Sequence, residues 1–176
     1  MDTLTHRLMM AAASRERAVV TIGNSWEAAG ERSLWALDGM TFYDLSGAAR
    51  TGDWVLGGVI PSEQGTFNIS AELDLTPFLD FGAYEFTLSF WHRTITGSTS
   101  HNVDIDRSAT IVAASGNANF SAVSNQSTTY AEYFTVLEES TGISALRINA
   151  TARRGFSSGL YRVPLFDDWS ATFTPI

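Results

Sequence analysis

Residues 67–75, FNISAELDL, place Phe67, Ile69, Ala71, Leu73 and Leu75 on one parity and Asn68, Ser70, Glu72 and Asp74 on the other. Successive side chains of an extended chain point to opposite faces, so this alternation specifies a strand with one buried and one wet face. A helical repeat of about 3.6 residues would scatter the same five apolar side chains around the axis. The period recurs in YEFTLSFWHRT, residues 84–94, where Tyr84, Phe86, Leu88 and Phe90 form the apolar set while Trp91 and Arg93 fall on the polar parity. Further strand-like runs are VDID, ATIVAA, YAEYFTVLE, ALRINATA, LYRV and WSATF, separated by turn-forming stretches such as TGST, SGNAN, SNQST and GFSSG. Many strands, no βαβ rhythm and no internal repeat predict an all-β fold, a two-sheet β-sandwich or jelly roll. With 176 residues the chain suffices for one well-filled core.

The first residues read differently. Leu4, Leu8 and the run from Met9 to Ala13 give an apolar stripe that predicts a short helix over residues 1–18. RAVVTIG then reads as a short strand ending at Gly23, and NSWEAAGERSLWALDG, residues 24–39, has no clean period and carries two tryptophans. Residues 1–33 are therefore expected to form an N-terminal arm or anchor segment, and residues 34–176 the jelly-roll β-sandwich. MDTLTHRLMMAAAS has Asp2 where a secretion signal is basic, and its apolar stretch spans only Leu8 to Ala13, so it predicts no such signal.

Composition removes several function classes. The chain has no cysteine, which excludes disulfides and thiolate metal sites. Its formal charge is −8, and Arg153 and Arg154 are its only adjacent arginines. A concentrated positive surface for phosphate backbones or anionic lipid is therefore absent, and neither nucleic acid nor membrane is an expected partner. The histidines His6, His92 and His101 lack the spacing of a zinc site, and there is no Gly-x-Ser-x-Gly elbow or phosphate-binding loop. Asp104 and Asp106 share a strand face but lack the rest of a calcium loop, and they are expected to face water. The chain is expected not to be an enzyme.

LDLTPFLDFGAYEFTLSFWHRTITGS, followed near the C-terminus by YAEYFTVLEESTGISALRINATA and GLYRVPLFDDWSATFTP, resembles the CenC-type carbohydrate-binding modules, which are galactose-binding-like jelly rolls. The recurrent features of those modules are a Gly-x-x-Tyr-x-Leu-Ser-Phe-Trp-x-Arg strand, a late Tyr-x-x-Phe-Thr strand and a terminal Asp-Asp strand; this chain has a Gly-x-Tyr-x-(apolar)-x-(apolar) strand, Gly82 to Leu88, that ends in Trp91-x-Arg93, and the pair Asp167-Asp168. The resemblance covers roughly residues 64 to 176 and omits the Asn-Gly-x-Phe-Glu opening of those modules. It implies a role for Asp167 and Asp168 in holding a structural calcium; otherwise no cofactor is expected. The same jelly roll occurs in bacteriophage virion proteins, so the resemblance implies two functions.

Trp91 on the polar parity is a sugar-stacking platform, a protein contact, or core beneath a second layer. If its strand shares a sheet with that of Arg147 and Asn149, then Trp91, Arg93, Arg147 and Asn149 form one platform, to which Trp54, in the turn-like RTGDWVLGG, adds a second ring. The expectation is a non-enzymatic bacteriophage virion structural protein, a head decoration, fibre or tail component. It would assemble in the host cytoplasm, attach to other virion proteins through residues 1–33, form a homo-oligomer, and contact a partner or surface glycan through the platform residues. The alternative is a carbohydrate-binding module recognising a cell-surface or plant-type polysaccharide.

Overall fold

A computed structural model of the protein describes residues 17–24, 26–45, 47, 49–59, 65–96, 103–123, 130–154 and 162–176. The alternating segments become the strands of two antiparallel sheets. The elements in chain order are β1 (Val20–Asn24), the short helix α1 (Ala29–Arg32), β2 (Trp35–Asp38), β3 (Thr41–Asp44), β4 (Trp54–Gly57) and β5 (Gly65–Asp74). They continue with β6 (Ala83–Thr96), β7 (Val103–Ala113), β8 (Ala118–Val123), β9 (Ala131–Thr141), β10 (Ile143–Arg154) and β11 (Arg162–Pro175). The six-stranded sheet has the order β3-β4-β11-β6-β9, with β1 also paired to β11; the five-stranded sheet has the order β2-β5-β10-β7-β8.

The core fills the space between the sheets with the apolar parity of each strand. Phe86, Leu88 and Phe90 of β6 and Trp169, Ala171 and Phe173 of β11 meet Ile69, Ala71 and Leu73 of β5 and Leu146, Ile148 and Ala150 of β10. The all-β sandwich expected from period two is the observed fold. VDID and ATIVAA prove to be one strand, β7, and WSATF falls in one strand, β11, with Arg162 and Val163 of LYRV, whose first two residues lie outside the described residues. The break in β11 is a bulge. Asp167 pairs with Trp91 and Trp169 with the adjacent Phe90, leaving Asp168 as the extra residue at φ 39°. The bulge switches the inward parity from Phe166 to Trp169, which makes one strand look like two. The expected turns TGST, SNQST and GFSSG lie outside the described residues apart from Thr96.

The N-terminal third departs from expectation. The helix predicted over residues 1–18 lies outside the described residues, except that Arg17 and Ala18 are irregular rather than helical. The arm predicted over residues 1–33 is corrected by β1, which is a strand of the sandwich: Val20 to Asn24 pairs with Phe173 to Trp169. Trp26, at φ 59°, turns its indole fully into the core, packs edge-on against Trp35 at 6.2 Å, and Trp35 meets Trp169 at 5.2 Å. Three tryptophans thus plug the β1–β2 side of the sandwich. Glu27 Oε1 accepts the backbone N–H groups of Asp53 and Trp54 at 3.0 Å each, and Arg32 Nη1 donates to Trp26 O at 2.5 Å. Residues 17–34 are thereby tied into the fold.

Candidate functional site

The outer face of the five-stranded sheet carries the polar parity of its strands, and antiparallel register lines these side chains up in rows. One row runs Ala36, Glu72, Arg147, Thr110 and Asn119 across the strands; the next runs Asp38, Ser70, Asn149 and Ser108. A third sets Asn68, Thr151 and Asp106 side by side. Arg147 donates from Nε to Glu72 Oε2 at 2.8 Å and from Nη2 to the same oxygen at 2.5 Å. Asn149 Nδ2 lies 3.5 Å from Thr110 Oγ1, which donates to Asn119 Oδ1 at 2.9 Å, and Thr151 Oγ1 donates to Asn68 Oδ1 at 2.8 Å.

The β5 and β10 members of these rows, with Ser108 of β7, form the floor of a groove of about 550 Å³, with Ala36, Leu37 and Asp38 of the edge strand β2 contributing to its wall. Strands stand about 4.8 Å apart, and same-face residues about 6.8 Å apart along each strand. Guanidinium, carboxylate, amide and hydroxyl groups therefore recur at intervals suited to the donors and acceptors around a sugar ring. The Arg147–Glu72 pair is half exposed on both sides, so it adds little to fold stability and remains available to exchange partners.

The sequence singled out Arg147 and Asn149, and the structure sets them in this groove. It does not bring Trp91 and Arg93 to them. Both lie on β6 in the other sheet, facing outward on the opposite side of the molecule, so the single platform expected from the four residues is corrected. Trp54 is likewise no loop residue: it opens β4 and packs against the core, and Arg32 stacks over its ring at 3.7 Å. Trp91 is half-buried, with the guanidinium of Arg50 over its ring at 3.8 Å, while Arg93 lies 4.8 Å from the centre of the Tyr130 ring. Burial and the neighbouring Asp167 charge push the Tyr130 hydroxyl up to about 12.

Asp167 and Asp168 explain how Arg50 is held. Asp167 is fully buried; its Oδ2 accepts the Arg50 backbone N–H at 2.6 Å and its Oδ1 the Asp168 N–H at 2.8 Å. Burial raises its carboxyl above the ordinary carboxylate range. The oxygens of Asp168 accept from Arg50 Nη1 and Thr51 Oγ1. All four carboxylate oxygens thus have protein partners, the guanidinium supplies the countercharge, and no group of three metal-ligating acidic or histidine residues occurs among the described residues. The arrangement does not fit the calcium expected at this pair, since the ion needs about six to eight oxygens.

Sequence reasoning missed Glu72 as the partner of Arg147 and Thr110 as that of Asn149, and with them Asn68 and Asn119, which accept from Thr151 and Thr110 on the same face. The wet parity of FNISAELDL contained two of them, but nothing in it says that β5 lies beside β10.

No family model matches the sequence, and no curated protein matches it. Among solved structures, the carbohydrate-binding module TmCBM61, determined in complex with β-1,4-galactotriose, matches at TM-score 0.52 and 15% identity over 84% of this chain and 92% of its own. The xylan-binding domains CBM22-1 and CBM22-2 of Paenibacillus barcinonensis Xyn10C each match at TM-score 0.51, with 12% and 16% identity, over 93% and 88% of this chain and 99% of theirs. At these identities the likeness is one of fold: the chain adopts the β-sandwich of carbohydrate-binding modules.

Proposed function

We propose that this chain is a non-catalytic glycan-binding module whose ligand lies along the outer face of the five-stranded sheet, with Arg147 and Asn149 as central contacts. The observation that carries the reading is the groove itself: three aligned rows of hydrogen-bonding side chains beside the wall of β2. The fold likeness to modules solved with galactotriose or named for xylan supports it and moves the emphasis from the virion subunit to the binding module. The described lining of the groove holds no aromatic ring, so hydrogen bonds to hydroxyls, rather than stacking, would select the ligand.

The test is affinity electrophoresis and calorimetry against a panel of neutral polysaccharides that includes β-1,4-galactan and xylan. Retardation by at least one polysaccharide is expected, with Arg147→Ala and Asn149→Ala each weakening it tenfold or more while thermal unfolding is unchanged. Absence of retardation across the panel, or retardation that both variants keep, would overturn the reading. A virion subunit draws its support from large apolar side chains left exposed, Phe81 and Ile176 foremost. Sedimentation of the full chain at micromolar concentration weighs it: a defined oligomer favours that reading, and a monomer counts against it.

A further inference from the structure

Five of the seven large apolar side chains exposed on the described surface, all but Leu37 and Val59, lie at one pole, beside the ties that Arg17 makes or in an adjoining groove. Arg17 donates to Asp80 Oδ1 at 3.1 Å, to Ala83 O at 3.1 Å and to Ile176 O at 2.7 Å, and lies 5.0 Å from the centre of the Tyr84 ring. Phe81 (76% exposed), Ile176 (63%), Val19 (57%) and Phe78 (37%) each belong to that grip or lie within two residues of it in sequence. Phe78 also joins Ile22, Leu34, Trp35 and Trp169 in lining a groove of about 270 Å³ between the edge strands β1 and β2. Folded domains rarely leave an apolar collection of this kind without a partner.

We propose that this pole is the docking surface for residues 1–16 of the same chain, with Leu4, Leu8 and the Met9–Ala13 run packed against Phe78, Phe81 and Ile176. Three features select this occupant. Arg17 is gripped at the pole, so the sixteen residues before it, which lie outside the described residues, start beside the patch. As a helix they would span about 24 Å, ample to cross it. A tethered segment also competes at an effective concentration in the millimolar range, about a thousandfold above a free partner at micromolar concentration. Lastly, Asp2 and Glu16 balance Arg7 and Arg15 within the segment, whereas a second copy would bring a charge of −8 against −8. The proposal is independent of glycan binding.

Amide hydrogen exchange followed by mass spectrometry on the full chain, with its mass checked by sedimentation, tests it. Docking predicts that peptides within residues 4–13 exchange at least tenfold more slowly than an unstructured peptide. Phe81→Asp, at a side chain outside the core between the sheets, should abolish that protection and leave exchange in β6 and β11 unchanged. Free exchange in the unaltered protein, protection that survives Phe81→Asp, or protection that rises with concentration together with a dimer mass would each overturn the proposal, the last in favour of a second copy.

Discussion

His92 stands on the apolar parity of β6 and is buried between the sheets, near Phe90 and Phe166. Arg107 also points inward, from β7, and donates to Thr94 Oγ1. Burial, and secondarily the Arg107 charge, depress the His92 imidazole from 6.5 to about 4. The unfolded chain therefore binds a proton below about pH 6.5 that the folded chain refuses until about pH 4, and stability must fall with pH through that window. A depression of this size corresponds to roughly 3 kcal/mol when the window has been fully crossed. Urea unfolding between pH 7.5 and 4.5 should show the decline, and His92→Leu should flatten it; an unchanged slope in that variant would place its cause elsewhere. Asp74 and Asp80, lowered by hydrogen bonds from Thr76 and from Tyr84 respectively, lose their contributions only as pH falls through their depressed values. The parity of His92 was readable from sequence as packing, and Arg107 shares the parity of Ile105, Ala109 and Ile111, but no local pattern shows that β7 brings this arginine against the β6 residues Thr94 and His92. The same holds for Trp91, whose wet-side position follows from alternation while its cover, Arg50, comes from a distant loop.

Strands whose apolar parity runs unbroken, such as β5 and β6, are recognisable from their own residues. β11 is not legible whole, because the bulge at Asp168 shifts its parity in mid-strand. β1 is legible as a strand but not as part of the sandwich, because five residues carry no mark of the partner they pair with. Gly23 is the residue that makes that pairing close. A Cβ there would stand 2.2 Å from Trp169 O and 2.4 Å from Ser170 Cα, both backbone atoms unable to yield without moving β11. Gly23→Ala should therefore destabilise the fold by more than about 1 kcal/mol, read as a lower urea midpoint. Gly47→Ala is the comparison: its φ is also positive, at 86°, but its Cβ would meet nothing within 4 Å. Equal midpoints for the two variants would mean that backbone strain alone acts and that β1 is not tightly held against β11.

The boundary of the folded unit follows from these ties. Removing residues 1–33 deletes all of β1 and Trp26, a fully buried indole whose loss alone is of the order of 3–5 kcal/mol. Domains of this size have total stabilities of about 5–15 kcal/mol. Loss of β1 pairing, of the Arg32 and Glu27 bonds and of the tryptophan plug together should leave that shortened chain without a cooperative unfolding transition. Removing residues 1–16 touches none of those elements and keeps Arg17, with its three hydrogen bonds to Asp80, Ala83 and Ile176. That smaller truncation should retain a two-state transition and the glycan retardation of the full chain. It should also bind more of a hydrophobic dye, because Phe78, Phe81 and Ile176 would lose their cover. Calorimetry and dye titration on the two truncations separate the possibilities. A folded protein lacking residues 1–33 would restore the arm; dye binding unchanged without residues 1–16 would leave the pole to another partner.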